Sequence, residues 1–91
     1  MTLLNRARTV LAAALLLAAA GPALADRAPT LNERALIERA LRVQGFVSWG
    51  DIDLDEGEGV WDVEDALSVD GREYELKLRA RTLEVIEREE S

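Results

Sequence analysis

Val69-Asp70-Gly71-Arg72-Glu73-Tyr74-Glu75-Leu76-Lys77-Leu78-Arg79 is the stretch on which the fold turns. Asp70 and Gly71 both tolerate the positive φ angles of a type I′ turn, so the chain is expected to reverse there as a β-hairpin. Beyond the turn, Tyr74, Leu76 and Leu78 alternate with Glu73, Glu75, Lys77 and Arg79, the period of a strand with one face inward and one in water. On the near side, Val60 to Val69 reads as its partner strand, with Trp61, Val63, Leu67 and Val69 on one face and Asp65 interrupting that pattern. Gly57 and Gly59 mark the turn before it. Phe46 to Leu54 is expected to be the first strand, with Ile52 and Leu54 pointing one way and Asp51, Asp53 and Asp55 the other. Val47 and Trp49 have the opposite parity, which predicts a bulge near Trp49-Gly50. After Arg79, a turn through Ala80 to Thr82 leads to a fourth strand, Leu83 to Arg88, and a frayed acidic end at Glu89, Glu90 and Ser91.

Ahead of the strands the period is helical. Thr30-Leu31-Asn32-Glu33 has the capping-box spacing, in which the Thr30 hydroxyl accepts from the Glu33 amide and the Glu33 carboxylate accepts from the Thr30 amide. Leu36, Ile37, Ala40, Leu41 and Val43 form the apolar stripe, Arg34, Glu38, Arg39 and Arg42 the wet side, and Gly45 supplies a left-handed end. Asp26 to Pro29 reads as a short mobile leader, leaving residues 30–91 as the domain. The predicted architecture is α+β, one N-terminal helix packed on a four-stranded antiparallel meander.

Residues 1–25 have the layout of a secretory signal: Arg6 and Arg8, an apolar run from Val10 to Ala20, then Gly21-Pro22 ahead of Ala23-Leu24-Ala25. Val10 to Ala25 is sixteen residues, short of the about 20 that cross hydrocarbon, so cleavage after Ala25 is expected rather than stable membrane insertion. No cysteine is present to carry a lipid, and Ala7 separates the two arginines, so the twin-arginine pattern is missing. The expected location is periplasmic or secreted.

Without Arg6 and Arg8 the remainder holds nine basic and eighteen acidic residues, a formal charge of minus nine. That argues against nucleic acid, whose binding requires basic patches that displace counterions. Histidine and cysteine are both absent, which removes imidazole and thiolate chemistry, disulfides and the usual zinc sites. Paired carboxylates for glycoside hydrolysis would need a cleft that one helix and a small sheet hardly provide, so an enzyme is not expected.

With this order of elements, the chain resembles the PepSY domain family, named from peptidase propeptides, over about Leu31 to Glu90. The resemblance is carried by Val43-Gln44-Gly45-Phe46, Val60-Trp61-Asp62-Val63-Glu64, Val69-Asp70-Gly71-Arg72 with Tyr74-Glu75-Leu76, and Arg79-Ala80-Arg81-Thr82-Leu83-Glu84-Val85. The family pattern commonly has an acidic residue where Arg79 stands and a glycine where Leu83 stands, which brings the tightness of the last turn into question. The resemblance implies an inhibitory or regulatory binding module of the cell envelope, often acting on proteases. It brings no catalytic residue and no cofactor, and the implied partner is another envelope protein or peptide segment.

Two features invite sharper readings. Asp51, Asp53, Asp55 and Asp62 occupy the first, third, fifth and twelfth places of a twelve-residue window, as in a calcium loop. Against this, Glu56 stands at the sixth place where glycine is required, and the flanks read as strands. Calcium held by these four residues is therefore the alternative function. Eight acidic residues between Asp51 and Asp65 also make a negative edge suited to steering a basic partner. Among the aromatics, Phe46, Trp61 and Tyr74 are expected in the core, while Trp49, beside the expected bulge, is the candidate anchor for a partner.

Overall fold

Helix α1 runs from Leu31 to Val43 in the computed structural model, which describes residues 26–91. The leader and its cleavage point lie outside the described residues. The capping box forms as its spacing predicts: the Glu33 amide donates to Thr30 Oγ1 at 3.1 Å and the Thr30 amide to Glu33 Oε1 at 2.9 Å. Gly45, at φ +95°, turns the chain out of the helix. Of the expected stripe only Ile37 and Leu41 are buried, whereas Leu36 and Val43 are 58% and 77% exposed. Ile37 and Leu41 are one turn apart on one line of the helix, while Val43 lies about 200° round from Leu41. A single helix on a small sheet buries only that line.

The strands are β1 (Phe46–Ser48), β2 (Ile52–Asp55), β3 (Val60–Ser68), β4 (Glu73–Arg79) and β5 (Val85–Glu90), all antiparallel. The order is β1-β3-β4-β5, with β2 pairing β3 further along the side that β1 occupies. The single first strand expected over Phe46–Leu54 is thus two, divided where the bulge is expected. Across the break the Gly50 amide donates to Glu64 O at 2.8 Å and the Glu64 amide to Asp51 O at 3.0 Å. A Cβ on residue 50 would sit 3.2 Å from Glu64 O, so glycine permits this close approach.

Opposite the break β3 carries an extra residue. Val63 pairs Leu76 and Ala66 pairs Tyr74, three steps on β3 against two on β4, and Asp65 adopts φ +51°. Such a bulge reverses the parity of the residues beyond it. Ala66 is therefore buried, Leu67 is only half-buried and Val69 is 76% exposed, correcting the expectation that Leu67 and Val69 continue the face of Trp61 and Val63. The hairpin also differs in detail. Only Gly71 has positive φ, +91°, and the Gly71 amide donates to Ser68 O at 2.9 Å while the Ser68 amide donates to Arg72 O at 2.8 Å. This is a type I turn closed by a left-handed glycine, the three-residue loop in place of the two-residue type I′ form.

Strand β5 begins at Val85 rather than Leu83 and continues to Glu90. Tyr74 pairs Glu90, Glu75 pairs Glu89, and the Ser91 amide donates to Glu73 O at 2.9 Å. The acidic end is thus part of the sheet rather than frayed, because it satisfies the outer amides and carbonyls of β4. Arg27 likewise exchanges backbone bonds with Leu54, at 3.3 and 2.7 Å, within the stretch read as a mobile leader. The core lies between the helix and one sheet face: Ile37, Leu41, Phe46, Ile52, Trp61, Val63, Ala66, Leu76 and Leu78.

Leu83, where the family pattern has glycine, stands at φ +66°. The left-handed conformation costs a side-chain-bearing residue about 1–2 kcal/mol, and the packing of half-buried Leu83 against the core offsets it. Leu83→Ala removes the packing and keeps the strain, whereas Leu83→Gly removes both. The glycine variant is expected to be the more stable of the two by about 1 kcal/mol, reversing the usual order. Urea titration of both variants checks this, and alanine ranking above glycine would contradict it.

Candidate functional site

The alternation that sends apolar side chains to the helix sends acids to the other face of the sheet. Across the strands run Asp53, Asp62, Lys77 and Glu87, each paired in register with the next. Beside them Glu64, Glu75 and Glu89 form a second acidic row, Glu75 opposite Glu89. Together with Asp26 they line a shallow depression of about 230 Å³ in which Lys77 is the only base among the described residues. Lys77 Nζ lies 2.9 Å from Glu58 Oε1 and 3.6 Å from Asp62 Oδ1, and these partners, Glu58 foremost, raise its pKa. One ammonium does not balance the seven carboxylates that line the depression.

Three of the arginines lie against aromatic rings instead. Arg27 lies over the Trp61 ring at 5.6 Å, Arg42 over Trp49 at 5.4 Å, and Arg88 over Phe46 and Tyr74 at 5.3 and 5.1 Å. Every aromatic ring of the protein thus has a guanidinium against it, and each arginine stem covers apolar surface. Phe46 and Trp61 are buried as expected, and Tyr74 is half-buried, edge-on to Phe46 at 6.0 Å. Trp49, the candidate anchor, sits half-buried in the break between β1 and β2, against the core and beneath Arg42.

The four aspartates of the calcium reading fall on a β-hairpin. Asp53 and Asp62 are direct cross-strand partners. Asp55 turns into the loop, where its Oδ1 accepts from the Glu58 amide at 3.0 Å, and Asp51 lies beside Glu64, displaced along the sheet from the Asp53–Asp62 pair. Among the described residues no three acids are placed to hold one metal ion.

Crowding of like charge shows in the acids themselves. Partial loss of water and then Asp51, Glu75, Asp65 and Asp53 raise the pKa of Glu64, and burial raises that of Asp62 despite Lys77. Glu33 behaves oppositely: its bond from Arg27 and that from the Thr30 amide hold it down to about 2. A carboxyl whose pKa rises on folding opposes folding when ionised, and the penalty fades as pH falls; one whose pKa drops stabilises above its unfolded pKa and loses that stabilisation as pH falls through the folded value. Glu64→Gln is therefore expected to raise the Tm at pH 7, with the gain gone below about pH 4. Glu33→Gln is expected to lower the Tm at pH 7, the deficit closing toward pH 2. Thermal melts across that range check both signs, and a lower Tm for Glu64→Gln at neutral pH would contradict the crowding.

The two sides of the sheet differ. On one, β1 is three residues long and β2 is closed at Leu54 by Arg27. On the other, β5 presents six residues whose outer edge no other described strand pairs. The acidic row through Glu75, Glu87 and Glu89 is not visible in the sequence because it is assembled by register between strands. The alternation in β4 is its one trace there.

Fold and face define a one-helix, antiparallel-sheet α+β domain with a negative outer surface. The sequence matches the family described as peptidase propeptide and YPEB domain over residues 8–89, and the chain belongs to that family. Its members are generally associated with propeptide and inhibitory regulation of proteases and are in general non-catalytic. No curated protein and no solved structure matches the chain. No helix among the described residues is long and apolar enough to cross a membrane.

Proposed function

We propose that this protein is an exported, non-catalytic module that binds and regulates another protein of the bacterial envelope, a protease being the expected kind of partner. The observation that carries the reading is the outer edge of β5, which no other described strand pairs and whose outward amides and carbonyls are able to take up an extended chain. Membership of a propeptide family supports it, as does a side-chain set without histidine or cysteine. The signal-like leader supports export.

Affinity capture from an envelope extract on the immobilised exported protein, followed by reconstitution with whatever is recovered, tests the proposal. A stable complex is expected, with slowed peptide cleavage where the recovered protein is a protease. Recovery of nothing beyond a scrambled-charge control would sink it. Amino-terminal sequencing of the exported protein is expected to begin at Asp26, and a retained leader would overturn the export reading. The calcium alternative has the Asp53–Asp62 pair in its favour. It requires a calcium-dependent rise in Tm that Asp53→Asn with Asp62→Asn abolishes, and a Tm indifferent to calcium would dismiss it.

A further inference from the structure

The geometry points to a specific occupant for the β5 edge: an extended peptide segment carrying lysine or arginine at every second position, added antiparallel or parallel as a sixth strand. The inference rests on the binding reading above and names the chemistry of its partner. Ser91 donates its amide to Glu73 O at 2.9 Å, and Glu75 and Glu89 pair two residues further along. Hydrogen-bonded pairs alternate in an antiparallel ladder, so Glu87 and Glu89 direct their backbone groups to β4, and Arg88 and Glu90 direct theirs outward. An added strand would bond to Arg88 and Glu90.

In the antiparallel arrangement the added residues opposite Glu87 and Glu89 then occupy the non-hydrogen-bonded sites, where cross-strand side chains come closest. They fall on the acidic face beside Glu87 and Glu89, which border a depression whose one base among the described residues, Lys77, is already held by Glu58 and Asp62. A basic side chain there meets unneutralised carboxylates, and an acidic one is repelled. On the opposite face the neighbours are already satisfied: Arg88 covers Phe46 and Tyr74, and Glu90 lies 3.9 Å from Arg72. Selection therefore comes from alternate positions only.

Charges on an edge strand also serve to prevent sheets from joining. Here they disfavour a second copy of this chain, because two antiparallel β5 edges bonded through Arg88 would set Glu87 against Glu89, or Glu89 against its own copy, on the acidic face. A partner of opposite sign is the one the edge admits.

The test uses the exported protein and three blocked eight-residue peptides: alternating lysine and valine, alternating glutamate and valine, and the lysine peptide with a central proline. The lysine peptide is expected to bind at least about tenfold more tightly than either of the others, more weakly as salt rises, and to protect the Arg88 and Glu90 amides from hydrogen exchange. Glu87→Lys with Glu89→Lys is expected to reverse the charge preference. If that variant does not melt like the parent, Glu87→Gln with Glu89→Gln is expected to abolish the preference. Equal binding of the proline peptide, or no protection at Arg88 and Glu90, would overturn edge pairing in favour of diffuse attraction. Failure of every peptide while a natural partner is still captured would overturn this inference and leave the regulatory reading standing. Edge pairing with no natural partner recovered would do the reverse.

Discussion

Trp61→Ala is expected to leave the domain largely unfolded at room temperature. Trp61 is 3% exposed and packs in the central cluster, and Arg27 lies over its ring at 5.6 Å while also holding Glu33 and bridging Leu54. Truncating a buried tryptophan to alanine costs about 3–5 kcal/mol. In a domain this short a single core rarely supplies more than about 3–5 kcal/mol, and without cysteine no disulfide supports it. The loss therefore consumes most or all of the margin, and it also frees the chain ahead of the helix. Near-ultraviolet circular dichroism with a thermal melt reads the outcome. A cooperative transition within a few degrees of the parent would show that the core does not depend on this ring.

The second large effect separates two neighbouring residues. Ala66 is fully buried and Leu67 only half-buried, because the extra residue at Asp65 reverses the parity of β3. Ala66→Leu forces added carbons into a filled site, at a cost of about 1–3 kcal/mol. Leu67→Ala removes a side chain that already meets water and is expected to cost about 1 kcal/mol or less. Urea unfolding of the two variants gives the ranking. If Leu67→Ala were the more damaging, the bulge would be misplaced and the strand would keep the uninterrupted alternation.

The same pair of residues shows where reading the chain as a string stops. Trp61 and Val63 alternate with Asp62 and Glu64, and continuing that period two at a time places Leu67 and Val69 inside. Asp65 interrupts the pattern, but an interruption does not say whether the strand tolerates a buried acid, ends, or gains a residue. The answer depends on Gly50 approaching Glu64 O from β2's side and on Tyr74 meeting Ala66 from β4's side. The acidic face has the same origin. Asp53, Asp62, Lys77 and Glu87 are distant in sequence and adjacent only through three pairings. The calcium reading treats the aspartates as one continuous loop, whereas strand pairing opposes two of them and separates the others.

From its sequence alone this protein had its helix start at Thr30, its end at Gly45, the hairpin about Asp70-Gly71, the inward set Tyr74, Leu76 and Leu78, and the family to which it belongs. Each of the local features depends on groups within a few residues of one another, whose hydrogen bonds and dihedral preferences act whatever the rest of the chain does. Tertiary structure alone decided the bulge at Asp65, the division of β1 from β2, the pairing of Arg27 and of the acidic carboxyl end, and the gathering of carboxylates beside an open edge. Those depend on which strands meet and in what register, and register minimises the energy of contacts far apart in the chain, which local preference does not encode.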